Sequence, residues 1–543
     1  MSTLTINRRQ LIAGMSASLG VLALRGFEVS ASQGQHFTHG VASGDPLSDR
    51  VILWTRVIPG NGQHGVVQCR WQVATDDSFR TIVSSGQTTT SAEGDYTVKV
   101  DATGLTPGTG YYYRFLSDGA QSATGRTSTL PEGDITKFRM GVTSCSNYPQ
   151  GYFNAYRDMA NSELDLVVHL GDYIYEYPEG VYSNPVALDS LGRHVKPETE
   201  VLNLEDYRMR YGLYRNDTDL QALHARYPFV CVWDDHELTN NTWRDGAENH
   251  NDGEGDFAVR MHYARKAYHE WIPIRTENND QEPIYRNFAI GKLADLTMLD
   301  TRLHGRDRQL KFTGPIEEVN TFLQEELNDP QRTILGKDQE QWLAQTLKQS
   351  KQRNAPWQLI GQQVLIGKVN IPKIDDADLD DSKLSKASED YFQYMRQLAE
   401  TAMPLNMDAW DGYPACRERI FEELIKHANN PVVLAGDTHN AWAFNLRDAD
   451  QQPVGIEIGT PGVTSPGMES FLPMSPAVLA RDLKASSPEL YAVDTARRGW
   501  SELTLTPEEV TNQWHFVSTI LSREFEVTHS ELHRCKAGDR RFS

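Results

Sequence analysis

Hydrophobic and polar positions change rhythm once along the chain, and that change divides it. From about residue 37 to 130, short β-branched or aromatic runs dominate: residues 51–56, 66–73, 96–100 and the tyrosine-rich 111–115. Gly, Asp, Asn and Pro punctuate them, and Leu105-Thr106-Pro107-Gly108-Thr109 reads as a turn. Strands at this spacing predict a small β-sandwich of the immunoglobulin or fibronectin kind over residues 36–130. Its tyrosines and tryptophans are expected in the core. Pro131-Glu132-Gly133-Asp134 is the linker. Beyond it, apolar runs alternate with helical patterns at 153–163, from 206 onward, and at 257–271, 337–349 and 417–427. In the third of these, Tyr263, Ala267 and Trp271 recur at helical spacing. The alternation predicts a layered α/β domain around a buried sheet, over residues 137–520. Short strands near 501–505 and 512–517 close it, and residues 521–543 read as a polar tail. No internal repeat is visible.

Four of the apolar runs end in reactive side chains. Residues 164–170 lead into Gly171-Asp172, and 229–233 lead into Asp234-Asp235-His236-Glu237. Residues 432–436 lead into Asp437-Thr438-His439, and 138–142 lead into Thr143-Ser144-Cys145-Ser146. In open α/β sheets the carboxyl edge is where ligands collect. One Gly-Asp after a strand is an ordinary turn. Four such ends at one topological position bring like charges together, which is unfavourable unless a cation reverses the sign. Carboxylate, imidazole and thiolate are together the donors of a mixed metal site.

The chain has 543 residues and a net charge of −21. So acidic a surface argues against nucleic acid or an anionic membrane as a partner. A phosphate substrate remains compatible, because a metal centre supplies local positive charge. Asn7-Arg8-Arg9-Gln10-Leu11, a weakly apolar stretch and Val29-Ser30-Ala31 read as a twin-arginine signal peptide over residues 1–31. The expected partner there is the Tat export machinery, and the expected destination is the periplasm or the exterior, with no stable membrane anchor. Such a compartment permits disulfides among the five cysteines. If Cys145 is a ligand, four remain, and Cys231, inside an apolar run, is expected as a buried free thiol. Two stretches break the rhythm. Residues 177–201 directly follow the Asp172 site, and 375–390 carry a carboxylate run. The latter lacks the glycine and terminal glutamate of an EF-hand and is expected as a solvated loop.

Several motifs together resemble PhoD-type alkaline phosphatases. They are residues 37–46 (Phe-Thr-His-Gly-Val-Ala-Ser-Gly-Asp-Pro), Thr143 to Ser146, Gly171-Asp172-Tyr173-Ile174-Tyr175-Glu176, Trp233 to Glu237, Leu299-Asp300-Thr301-Arg302 and Gly436 to His439. The resemblance covers almost all of the chain after the signal. It implies an α+β and α/β fold in which the sandwich precedes a calcineurin-like metallophosphoesterase domain. It implies iron(III) beside calcium, with Cys145, Asp172, Tyr175 and His439 on iron. Asp172 would bridge to calcium, held also by Asp437 and a ligand from the 235–241 segment. Aligning on His-Glu selects Asp235, while Asn240 and Asn241 stay open as alternatives. Thiolate and phenolate suit a ferric ion, and carboxylate and amide oxygens suit calcium. The wider superfamily carries Asp-x-His where this chain has Ser-Cys-Ser, a departure shared with PhoD.

The implied activity is hydrolysis of phosphate mono- and diesters by metal-activated water. His236 either orients the substrate and protonates the leaving group or hydrogen-bonds a ligand carboxylate. Arg302 is either a bidentate phosphate clamp or the partner of Asp300 or another site carboxylate. Two alternatives stand beside this reading: a phospholipase D with the same metal core, and a non-catalytic, export-linked polysaccharide-binding protein. Convergent ligands at four strand ends disfavour the second.

Overall fold

The computed structural model describes residues 36–59, 65–276, 283–379 and 386–543. The expected signal segment lies outside them. Among the described residues the strands form three sheets. The largest runs, in spatial order, through Val527–His529, Glu509–Val517, Arg498–Leu505, Phe138–Thr143, Leu166–His169, Pro228–Cys231, Val41–Gly44, Arg50–Arg56 and Thr97–Thr103. Its centre, from Phe138–Thr143 across to Val41–Gly44, is parallel. A second sheet has a parallel centre of Ala294–Met298, Trp357–Gly361, Asn430–Ala435 and Pro453–Gly459. Antiparallel strands flank it.

Parallel strands covered on both faces need unbroken apolar sequence, and Leu166–His169, Trp357–Gly361 and Asn430–Ala435 are buried at every position. Val167 and Val168 of the first sheet share one core with Leu359, Val432 and Ile456 of the second. The single buried sheet expected from the sequence is therefore two sheets around a common interior. A run of apolar residues reports burial but not the identity of the neighbouring strand.

The N-terminal strands are likewise divided. Ile82–Thr90, Val67–Ala74, Gly110–Ser117 and Gly125–Ser128 belong to the third sheet. It packs on Val41–Gly44, Arg50–Arg56 and Thr97–Thr103 through Val51, Leu53, Cys69, Val73, Val98 and Tyr113. Those three strands continue the largest sheet, because Val41–Gly44 pairs in parallel with Pro228–Cys231. One layer of the N-terminal segment is thus also part of the layer that carries the site. Asp45 reinforces the junction, accepting from Arg286 Nε at 2.9 Å and Nη2 at 2.7 Å.

Helices occupy the expected places at Asn154–Asn161, Leu204–Arg215, Phe257–Trp271, Lys337–Gln352 and Pro414–His427. Leu204–Arg215 begins with a capping box between Asn203 and Asp206. The two irregular stretches hold helices, Pro185–Leu191 and the start of Lys386–Ala399, the second where a solvated loop is expected. The expected polar tail is a correction: Val527–His529 and His533–Lys536 pair with Glu509–Val517, and Cys535 and Phe542 are buried. Each of these strands is too short to show a period, and flanking charges mask it. All five cysteines, Cys231 included, are free and buried.

Candidate metal centre

Strand register sets where the chemistry emerges. Thr143, His169 and Cys231 lie side by side at the ends of their strands. Cys145, Asp172 and Asp234-Asp235 therefore leave the same edge. In the second sheet Ala435 pairs with Gly459, so Asp437 and His439 leave its corresponding edge. The loop after Gly459 stitches the two edges together. Ser144 and Gly462 form a parallel bridge, and Val463 N donates to Ser144 O at 3.0 Å. Gly171 permits the close approach: its φ is 103°, and a Cβ there would sit 2.4 Å from Asp234 N.

The backbone is strained where the candidate ligands sit. Cys145, Asp172, Asn241, Asp437 and His439 have φ of 60°, 55°, 52°, 62° and 62°. Left-handed backbone costs a residue with a Cβ roughly 1–2 kcal/mol. Strain of this kind at converging polar residues points to function.

Asp172 joins two groups of donors. On one side Cys145 Sγ, an Asp172 oxygen and a His439 nitrogen lie within 4.8 Å of one another. Tyr175 OH donates to Asp172 Oδ2 at 2.8 Å, stands 3.3 Å from His439 Nε2 and accepts from Ser465 Oγ at 2.7 Å. His439 Nδ1 lies 2.7 Å from Pro466 O, a carbonyl that can only accept, so Nδ1 is the donor and Nε2 is the nitrogen that faces the cluster. On the other side the groupings are Asp172, Asp235 and His236, and Asp234, Asp235 and Asp437.

Whether these residues fit a metal is answered by their unpaired atoms. Asp172 Oδ1, Asp234 Oδ2 and Asp235 Oδ1 are buried and have no hydrogen-bond partner among the described residues. Orphaned buried carboxylate oxygens are costly, and three at one locus suit a cation. Burial, then repulsion from the other carboxylates against the pull of Arg302, raises Asp437 to about 7. Burial and neighbouring carboxylates likewise hold Asp234 well above the usual carboxylate range. Burial followed by the charge of Asp172 raises the Cys145 thiol and the Tyr175 phenol. A bound cation inverts that preference and favours the deprotonated ligands. The donor set fits a metal: sulfur, phenol and imidazole on one side of Asp172, and mostly carboxylate on the other.

Of the sequence-predicted ligands, Cys145, Asp172, Tyr175, Asp235, Asp437 and His439 converge. Asn241 meets the site through its backbone, whose N–H donates to Asp235 Oδ2 at 2.7 Å, while its Nδ2 donates to Glu248 Oε2 at 2.6 Å. Asn240 N donates to Glu176 Oε1 at 2.8 Å. His236 Nδ1 is 2.7 Å from Glu176 Oε2, and its ring lies on that of Tyr175. Burial lowers the His236 pKa, but the charges of Asp235, Glu176 and Asp172 overcome it and hold the imidazole well above its ordinary value.

For Arg302 the clamp expectation is corrected, while the expected pairing with a site carboxylate is what the geometry shows. Arg302 is fully buried and engaged by carboxylates: Nε donates to Asp234, Nη1 to Asp408 at 2.7 and 3.0 Å, and Nη2 to Asp437 at 2.9 Å. The open phosphate clamp is therefore not what the structure holds. Nor does the guanidinium pair with Asp300, whose Oδ1 accepts instead from the backbone N–H groups of Arg302 and Leu303. Arg306 and Gln309 donate to Asp408 from the other side.

Nothing in the sequence alone marks the roles of Glu176, Glu237, Asp408 or Ser465. Glu237 accepts the backbone N–H groups of Asp172, Tyr173 and Asp234 at 3.0, 2.5 and 2.8 Å, clamping two strand ends together. Glu176 and Glu237 stand inside quoted motifs, so their positions were visible while their partners were not. Asp408 lies in a segment with no motif at all.

With this geometry in hand, known proteins provide a comparison. The PhoD-like phosphatase family matches residues 140–514, and the PhoD-like phosphatase N-terminal domain matches residues 23–131. Alkaline phosphatase D of Bacillus subtilis (strain 168) is 38% identical over 464 residues, which is 81% of this chain and 73% of its own length. The solved structure of PhoD aligns over 94% of this chain and 92% of its own, at 32% identity and a TM-score of 0.78.

Proposed function

The chain belongs to the PhoD-like phosphatase family, and from that premise we propose how its clustered donors act. It is a phosphoric ester hydrolase of the alkaline phosphatase type, and its donor groups suit a metal cofactor. We infer iron(III) held by Cys145, Asp172, Tyr175 and His439, beside calcium held by Asp172, Asp235 and Asp437, with Asn241 as a further candidate oxygen donor. The observation that carries this reading is the trio of buried carboxylate oxygens without a hydrogen-bond partner beside a thiol, a phenol and an imidazole. When bound, such cations supply Lewis acidity toward a phosphate oxygen and toward water.

The protein's own groups do the rest. Glu237 fixes the Asp172 and Asp234 turns from behind. Arg302 holds Asp234 and Asp437 in register and offsets their charge. His236, steadied by Glu176, is placed to orient the phosphate and to give its Nε2 proton to the leaving alkoxide.

We further infer an immunoglobulin-like sandwich over residues 36–130, calcineurin-like layering of residues 137–520, and Tat export to the periplasm or exterior. No helix among the described residues is long and apolar enough to cross a membrane.

The test is hydrolysis of p-nitrophenyl phosphate, bis-p-nitrophenyl phosphate and phosphatidylcholine, each with and without chelator, with a visible spectrum of the same protein. The reading predicts chelator-sensitive release of p-nitrophenol and a charge-transfer band from thiolate or phenolate on iron(III). A colourless, zinc-only active protein would overturn the iron assignment. Turnover indifferent to chelation would overturn the metal mechanism.

A further inference from the structure

Beside Asp437 and Thr438 lies a cavity of about 400 Å³ whose walls are mostly apolar. We propose that it is a subsite for an alkyl substituent of the phosphate ester, so that the preferred substrates are diesters carrying one aliphatic chain. The proposal rests on the reading of the neighbouring centre as a phosphoester hydrolase. The volume falls within the range of small-ligand pockets, roughly 300–1,000 Å³.

Three observations support it. The first is composition. Leu365, Val369, Ile371, Met395 and Met468 are among the lining residues, and methionine adapts its shape to unbranched chains. The polar groups that reach the cavity are mostly committed elsewhere. Asp411 Oδ2 accepts from Val369 N at 2.8 Å, its Oδ1 accepts from Arg417 Nη1 at 2.8 Å, and Thr438 Oγ1 accepts from Trp442 Nε1 at 2.8 Å.

The second is continuity with the centre. Asp437 belongs both to the cavity wall and to a carboxylate grouping of the candidate metal centre. The turn that forms one wall is fastened to the His439 turn: Met468 N donates to Asn440 Oδ1 at 3.0 Å, and His439 Nδ1 bonds Pro466 O. A phosphate at the centre would thus have its substituent beside a wall fastened to the turn that presents His439.

The third is the rim. Phe471 is 67% exposed and Tyr391 53% exposed, and both line the cavity. Large apolar rings left in water at the mouth of an apolar cavity beside a reactive centre are what an aliphatic chain would cover.

The experiment uses the metal-loaded protein and a series of p-nitrophenyl alkyl phosphates from methyl to octyl, with p-nitrophenyl phenyl phosphate as the aromatic arm. The expected result is a rise in kcat/KM with chain length of up to about fourfold per methylene, corresponding to ~0.8 kcal/mol per buried CH₂, levelling off when the cavity is full. Phe471→Ser, at the exposed rim, and Met395→Gln, on a half-buried helix face, should each cut the octyl-to-methyl ratio. A flat ratio in the wild type, with the methyl ester still turned over, overturns the subsite and leaves the hydrolase reading intact. A phenyl ester preferred over the octyl ester overturns the assignment to an alkyl chain. Failure to hydrolyse any ester of the series overturns both readings together. A ratio unmoved in both variants also counts against the cavity.

Discussion

Replacing Arg302 by Met tests whether this arginine anchors carboxylates or clamps phosphate. The guanidinium is wholly buried, and although burial lowers its pKa, the charges of Asp234, Asp235, Asp408 and Asp437 overcome that and hold it well above the ordinary value. Methionine fills similar length with no donors. Asp408 keeps Arg306 and Gln309, so it is not stranded. Asp234 and Asp437 are. Asp234 Oδ2 already lacks a partner, and Oδ1 loses Arg302 Nε, while Asp437 Oδ1 loses Nη2. Removing one side of a buried ion pair typically costs about 3–5 kcal/mol, because the remaining carboxylates must either stay uncompensated or take up protons. We expect that loss in urea unfolding followed by tryptophan fluorescence in the presence of chelator. The loss should shrink when the protein is loaded with cations, since they compensate the same carboxylates. A clamp makes the opposite prediction: near-normal stability with a raised KM. Arg302→Met destabilising the chelated protein by less than about 1 kcal/mol would refute the anchoring argument.

Other expectations follow from single contacts. Glu237→Gln sets an amide NH₂ against at least one of the three backbone N–H groups now accepted, and metal affinity, read by competition with a chelator, should fall about 10- to 100-fold; unchanged affinity would refute it. His169 is fully buried between Tyr156 OH and the N–H of Gly171, and burial lowers its pKa to about 3. The folded state therefore keeps the neutral ring, while the unfolded chain takes up a proton below about pH 6.5. This contribution to stability is fully present above that pH and is lost as pH falls toward 3. Unfolding free energies of the wild type and His169→Gln should accordingly diverge by about 2 kcal/mol in pH dependence between pH 7 and 5, the wild type falling more steeply; parallel profiles would refute it.

Much of the site was legible because its residues end apolar strands. Asp172, Asp437 and Cys145 follow apolar runs that read as buried strands, and His439 and Tyr175 lie four and six residues past the ends of Asn430–Ala435 and Leu166–His169. What was hidden was non-local. That Asp172 and Asp437 leave different sheets depends on which strands pair, and an apolar run does not encode its neighbour. The role of Arg302 depends on Asp408, more than a hundred residues away, and no local pattern links them. The positive φ at five candidate ligands was equally invisible, because Asp, Asn, Cys and His in loops carry no mark of the backbone they will be forced to adopt. The C-terminal strands escaped because a three-residue strand has no measurable period, yet they complete the edge of the largest sheet.

The most direct measurement is the metal content of the purified protein and its Asp172→Ala variant, with bis-p-nitrophenyl phosphate turnover followed on the same samples. Asp172 joins both donor groups, so removing its carboxylate should deplete bound cation and abolish turnover while the chain stays folded. A folded variant that keeps its full metal complement and hydrolyses the diester at the wild-type rate would contradict the account.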